Sequence, residues 1–332
     1  MLRFGILGFG HHAVRRLVPA FSGAKASSLQ GLWRRDQQKA RENAAQFAIP
    51  ENFASPEELC ASPEIDAVFV ASPDALHLQD VLLALSHGKP VLCEKPLGMN
   101  LEQVETMLQA ARQSNVVFGV AQNFRYNESV LRAREWIASG RIGTPRLAHV
   151  QFCYDAETSP RAWIYDPSLA CGGPIGDVGI HCIDAMRFVL NDEVTAVAAL
   201  ARKDDKSGEV ESSAVLTLEF ADAPLGMVSV TTRASYRSLF EIVGDDATIY
   251  CDDGLTVDHP VELVLRKDGE VTASETLSNA EGYSRMLDSF AAAVAGREKF
   301  LATGEDGLRN QRVLDAAYAA WRSGSRQEVV TQ

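Results

Sequence analysis

The chain has 332 residues, 46% hydrophobic and 23% charged, enough for two domains with substantial cores. A net charge of −12 with only 32 lysines and arginines argues against a nucleic-acid partner, which needs cations clustered on phosphate. No apolar run nears the length of a membrane span, the opening MLRFGILGFG is too short for a signal core, and six cysteines without a CxxC pair point to reduced thiols in the cytoplasm.

Residues 1–121 alternate short apolar runs with helical patterns. Leu2 to Leu7 reads as a strand. Val14, Leu17, Val18 and Phe21 then share one helical face, with Pro19 placed to kink or end that helix. A second strand is expected over 29–33, a helix over 36–47, a weak strand near Phe53 and a helix start at Ser55-Pro56-Glu57-Glu58. The run 67–71 is apolar throughout, as in a strand covered on both faces. A helix over 75–87 stops at Gly88, and a strand over 91–93, a helix over 101–114 and a strand over 116–120 close the series. Strands alternating with helices predict a doubly wound parallel sheet with right-handed crossovers.

From residue 122 the texture changes. A helix over 129–139 ends at Gly140, and a strand follows over 146–154. Strand candidates at 194–201, 210–220, 225–233, 239–243, 247–251 and 261–266, with hairpin-like breaks such as DDKSGE and RKDGE, predict a mostly antiparallel sheet. Helices return over 283–295 and 305–322. The expected organisation is a dinucleotide-binding domain over 1–121 and a substrate-binding and subunit-contact α/β domain over 122–332.

The turn after the first strand reads Gly8-Phe9-Gly10-His11-His12-Ala13, a G-x-G-x-x-A pattern that opens a helix. Gly8 permits the tight turn, Gly10 lets a pyrophosphate approach the backbone, and Ala13 allows close helix–strand packing. The phosphates would rest on the helix N-terminus, beside Phe9 and His11. NAD sites carry an acid about 20 residues on, at the tip of the second strand, to hold the ribose hydroxyls. Here Arg34 and Arg35 occupy that tip. Two guanidinium groups suit a 2′-phosphate, which favours NADP over NAD. The plain alternative is two solvated arginines at a helix start capped by Asp36.

Four segments occur in order: the glycine turn, Ser72-Pro73-Asp74-Ala75-Leu76-His77, the GKPVLCEKP run ending at Pro96, and GGPIGDVGIHCID over 172–184. Together they resemble the Gfo/Idh/MocA oxidoreductases, the glucose–fructose oxidoreductase and inositol dehydrogenase family. The resemblance implies an N-terminal Rossmann domain and a C-terminal α/β domain whose large open-faced sheet makes a homodimer or homotetramer. It implies hydride transfer between NADP or NAD and a sugar-like alcohol or carbonyl, with Lys95, Asp177 and His181 as the catalytic group. Ser72, Pro73, His77, Glu94 and Lys95 would meet the cofactor, and Arg125, at the domain crossing, would meet substrate or form a hinge ion pair. In this family the Lys95–Pro96 bond is typically cis.

The chemistry stands beside the resemblance. Hydride transfer at a C–O carbon needs a matched proton transfer at oxygen. A lysine at the carboxyl end of a parallel strand faces the crevice where ligands bind. Asp177 and His181, four residues apart, share one face if their segment is helical. Tyr154, Trp163 and Tyr165 precede that segment and could stack on a sugar ring or pack in the core. Cys171, His181 and Cys182 have metal-binding side chains but no ligand spacing, so no metal is expected. Two further readings keep the same nucleotide site: a lyase or glycoside hydrolase that recycles its cofactor, and a non-catalytic NADP(H)-dependent regulator.

Overall fold

The computed structural model describes residues 1–157, 159–222 and 224–330. They form two units: Met1–Gln122 with Tyr283–Leu308, and Asn123–Gly282 with the residues from Arg309 onward.

The first unit holds a six-stranded sheet of β1 (Leu2–Leu7), β2 (Ser27–Trp33), β3 (Glu51–Asn52), β4 (Ala67–Val70), β5 (Val91–Cys93) and β6 (Phe118–Val120), in the order β3-β2-β1-β4-β5-β6. Every pairing is parallel. Between the strands run α1 (Val18–Gly23), α2 (Gln37–Gln46), α3 (Pro56–Ala61), α4 (His77–Ser86) and α5 (Leu101–Ser114). β4 and β5 are buried at every residue, which is why they lack alternation. Strand order reverses at β1 and β4, the switch point beyond whose carboxyl ends α/β sheets bind ligands.

Pro19 does not end the first helix, which runs on to Gly23. Ala13–Leu17 forms a wider, π-helical turn in which the Val18 N–H bonds the Ala13 carbonyl five residues back. The proline then falls in the first turn of α1, where a missing N–H costs little. Asp36 caps α2 by accepting the Lys39 N–H, and Ser55 caps α3 by accepting the Glu58 N–H.

The second unit is built on a mixed, mostly antiparallel sheet. Its strands are β7 (Pro145–Asp155), β8 (Val194–Arg202), β9 (Ser213–Phe220), β10 (Leu225–Thr231), β11 (Arg233–Arg237), β12 (Phe240–Gly244), β13 (Thr248–Cys251), β14 (Val261–Lys267), β15 (Glu270–Leu277) and β16 (Gln327–Glu328). The order is β15-β14-β13-β12-β7-β10-β9-β8-β16, with β11 on β7, and only the β7–β10 pairing is parallel. Gly226, Val228, Val230, Leu216 and Leu218 are buried on the face that α6 (Glu128–Ala138) and α7 (Ile180–Leu190) serve. On the other face Leu225 lies beside Leu147 and Leu200 beside Val215, all exposed.

Residues 283–308, counted with the second half above, pack in the first unit. There α8 (Gly282–Val294) sets Phe290 5.8 Å from Phe4, and Asp288 accepts the N–H groups of Lys25 and Ala26. The last helix is α9 (Gly304–Ser323). No helix among the described residues is long and apolar enough to cross a membrane.

Candidate active site

In the first unit the proposed cofactor residues gather at the carboxyl ends of β1, β4 and β5. Gly8 has φ +81°, and a Cβ there would lie 2.4 Å from the Ser72 nitrogen. The ends of β1 and β4 therefore touch backbone to backbone, and no other residue fits at position 8. The N–H groups of Gly8 and Phe9 both bond the Trp33 carbonyl, which fixes the turn. Phe9 is wholly buried against Phe47, so its ring serves the core and only its backbone faces the turn.

Gly10 is different. It has no left-handed backbone, and a Cβ there would meet only the Gly8 oxygen, at 3.8 Å. Neither conformation nor internal packing calls for glycine. The space over Gly10 lies at the start of a helix, where backbone N–H groups favour an anion. Ala13 is fully buried beneath it, and His11 is exposed at the helix start.

The Lys95–Pro96 bond is cis. His77 is fully buried, with its ring nitrogens 2.9 Å from the Pro96 and Ser72 carbonyl oxygens. Both nitrogens are engaged by backbone, so His77 ties the β4 and β5 ends together. Ser72 donates its hydroxyl to buried Asp80 at 2.6 Å, and burial raises the Asp80 carboxyl.

Glu94 and His12 form a pair that sequence reasoning missed, 2.9 Å from Nε2 to Oε1. Burial pushes the Glu94 carboxyl up, but the charge and hydrogen bond of His12, with Lys95 and His77 beyond, bring it below the usual range. The pair joins the glycine turn to the EKP run across 82 residues, a separation no local pattern reports. Arg34 is half-buried and donates to Asn43 at 2.8 Å, while Arg35 is exposed.

In the second unit Asp177 lies on a π-helical turn, Ile175–Gly179, that runs into α7 and His181. Such turns recur at functional sites. Tyr154 donates its hydroxyl to Asp177, and Arg161 donates to both Asp177 oxygens at 3.1 Å and to the Tyr154 oxygen at 3.1 Å. Burial and then the adjacent Asp177 charge push the Tyr154 phenol well up, so it stays a donor. His181 is buried, its ring centroid 4.4 Å from that of Phe124. Of the aromatics offered for stacking, Tyr154 is thus a partner of Asp177. Tyr165 sits against Arg233, and Trp163 is half-buried in a short helical turn.

Arg125 forms a buried fork with Asp184 at 2.7 and 2.8 Å, and Asn310 donates to the same carboxylate at 2.8 Å. This geometry corresponds to the ion-pair alternative for Arg125. The Cys182 thiol is fully buried and Cys171 is partly buried, and all six cysteines are free. Among the described residues no group of three or more His, Cys, Asp or Glu side chains could hold a metal. Arg161 carried no sequence signal, because its partners lie in a separate helix and strand.

A profile described as the oxidoreductase family, NAD-binding Rossmann fold, matches residues 2–122, and one described as the GFO/IDH/MocA C-terminal domain matches residues 130–250. The chain is 30% identical to a 1,5-anhydro-D-fructose reductase of Ensifer adhaerens, over 100% of this chain and 99% of that protein. It is 26% identical to a D-xylose 1-dehydrogenase (NADP(+)) of Haloferax volcanii, over 99% of this chain and 100% of that one. The solved aldose-aldose oxidoreductase of Caulobacter crescentus shares the fold, with a TM-score of 0.90 at 23% identity, over 98% of this chain and 99% of that one.

Proposed function

The chain belongs to the Gfo/Idh/MocA oxidoreductase family, and from that premise we propose that it is an NADP-preferring oxidoreductase acting on a sugar, a polyol or a related hydroxy or carbonyl compound. The observation that carries the reading is Gly10, a glycine required by neither backbone nor packing, at the switch point of a Rossmann sheet. Free thiols throughout support the cytoplasmic placement.

A bound nicotinamide would supply or accept the hydride. The chain's own residues manage binding and the proton. Lys95 gives or takes the proton at the reacting oxygen. Asp177, oriented by Tyr154 and Arg161, accepts hydrogen bonds from substrate hydroxyls. His181, on the same helix, completes the proton path, an imidazole being suited to that near neutral pH. Gly8, Phe9, Gly10 and His11 offer the cofactor the glycine turn, with Ala13 packed beneath it, and Ser72, Pro73, His77 and Glu94 hold the strand ends beside it. The arginines at the β2 tip support NADP, since Arg34 and Arg35 replace the acid an NAD ribose would meet. The test is label transfer from reduced cofactor to sugar carbon: label on the product carbon supports the reading, and unlabelled product with the cofactor still reduced opposes it.

The exposed apolar face of the second sheet supports a homo-oligomer. Leu147, Leu200, Val215 and Leu225 are 52%, 79%, 44% and 55% exposed in the single chain, and a contiguous apolar face is a common association surface. Sedimentation should give a mass at least twice the 36.1 kDa of one chain. Replacing Leu225 and Met227 by aspartate should lower it, and a wild-type monomer at micromolar concentration would remove this part of the proposal.

A further inference from the structure

The helix that carries Asp177 and His181 starts without a local cap. Pro174 precedes the π-helical turn and offers no side-chain hydrogen bond. Yet the first N–H groups of a helix need acceptors, and burying them unpaired is costly. The acceptor comes from far along the chain. Glu211, just before β9 and 1% exposed, accepts the Gly173 N–H at 3.0 Å on one oxygen and the Ile175 N–H at 2.9 Å on the other. Tyr318 of α9 donates its hydroxyl to the second oxygen at 3.0 Å.

The loop is shaped to receive these groups. A Cβ on Gly172, whose φ is +153°, would fall 1.7 Å from the Tyr318 hydroxyl oxygen. One on Gly173 would fall 1.9 Å from the Glu211 carbonyl oxygen. The Gly-Gly pair therefore lets Glu211 and Tyr318 press directly on the backbone. The Asp177 N–H returns to the Gly173 carbonyl at 2.9 Å, so the position of Gly173 is passed straight to Asp177.

We propose that Glu211 is a positioning residue for the Asp177/His181 helix, setting its starting point and rotational phase from the neighbouring strand. The inference rests on the reading above that this pair acts on substrate. A serine or aspartate N-cap would stabilise a helix start at less cost. A carboxyl buried at this depth is raised by desolvation despite its donors, and buried charge is weak evidence for stability. What it supplies is a fixed geometry, and a displacement of about 1 Å at reacting groups can cost on the order of 100-fold in rate. Glu211 is 1% exposed and its oxygens rest on the loop backbone and Tyr318, so it acts through the loop.

The test is Glu211→Gln, which keeps shape but sets an amide donor against one of those N–H groups. Turnover should fall about 10- to 100-fold, with cofactor affinity nearly unchanged and the melting temperature lowered only by what one unpaired buried N–H costs. Exchange of the amides in 173–179, read by mass spectrometry, should speed up about tenfold, equivalent to about 1.4 kcal/mol. Tyr318→Phe should do the same more weakly, and carries the test if the first variant does not fold. His181→Ala is measured in parallel. Wild-type turnover and exchange in Glu211→Gln overturn the proposal. So does a loss of activity matched by equal losses of cofactor binding and melting temperature, which marks a merely structural role. If His181→Ala keeps full turnover, the catalytic reading fails, while amide exchange still decides whether Glu211 fixes the loop.

Discussion

Lys95→Ala should lower turnover by about 10²- to 10⁴-fold, the range of one positioned acid–base group, and leave NADP(H) affinity almost unchanged. Lys95 lies two residues beyond β5, three apolar and wholly buried residues, and is the first cation after that strand. Polar chemistry is excluded along the strand because helices cover both sheet faces, so it begins where the strand ends. The backbone there is held from several sides. The Glu94 N–H bonds the Val70 carbonyl, and the Pro96 carbonyl meets His77. Glu94 in turn is held by His12. The lysine thus stands on a rigid end, the condition for efficient proton transfer. The cofactor's phosphates are assigned to the glycine turn, so their binding should survive the loss. Steady-state kinetics with a fluorescence titration of NADPH checks both halves. Lys95→Met, which keeps the stem and removes the charge, should match the alanine variant. Equal losses of turnover and cofactor affinity would mean that Lys95 holds the nucleotide.

The two glycines of the turn should fail in opposite ways. Gly10→Val should weaken NADP and NAD alike by at least tenfold, about 1.4 kcal/mol, and leave the melting temperature unchanged. A Cβ there would touch only the Gly8 oxygen, at 3.8 Å, so the side chain would stand where the phosphates are assigned. Gly8→Ala should instead destabilise the fold. The left-handed backbone alone costs about 1–3 kcal/mol, and the new methyl lies 2.4 Å from the Ser72 nitrogen. Calorimetry and cofactor titration of both variants read this contrast, and the same titrations of wild type read the NADP-over-NAD preference. If Gly10→Val bound both cofactors normally, the space over Gly10 would not be the phosphate site.

The parallel sheet was legible because its strands are short apolar runs closed by caps and glycines that act locally. Asp36, Ser55 and Gly88 each end or begin an element by contacts within a few residues. The second sheet was legible only where one face is buried. In β9 the alternation of Ala214, Leu216 and Leu218 with exposed neighbours is plain. In β15, Glu270–Leu277, no residue is fully buried, so nothing apolar marks a strand at the sheet edge. β11 and β16 fail for the same reason, being short and mostly exposed.

Site residues divided along similar lines. Gly8, Gly10 and the EKP run were visible because their spacing is local. The partners that orient them were not. His12 with Glu94, Arg161 with Asp177, Asp184 with Arg125 and Glu211 with Gly173 are joined across 82, 16, 59 and 38 residues. Pairings over such distances are set by the assembled fold and leave no periodic trace. His77 belongs with them: its ring is drawn inward to the carbonyls of Ser72 and Pro96, 5 and 19 residues away, which no periodicity reports.

The central claim is that a hydride passes between nicotinamide and a sugar carbon. Its most direct test uses NADPH carrying deuterium at the transferable ring position, incubated with a panel of aldoses, ketoses and related carbonyl compounds. Mass spectrometry of the products should find one deuterium per cofactor oxidised, fixed to carbon, and Lys95→Ala should slow its appearance. Product formed without deuterium while the cofactor stays reduced would contradict the account, and would point to chemistry in which the nucleotide is retained and restored.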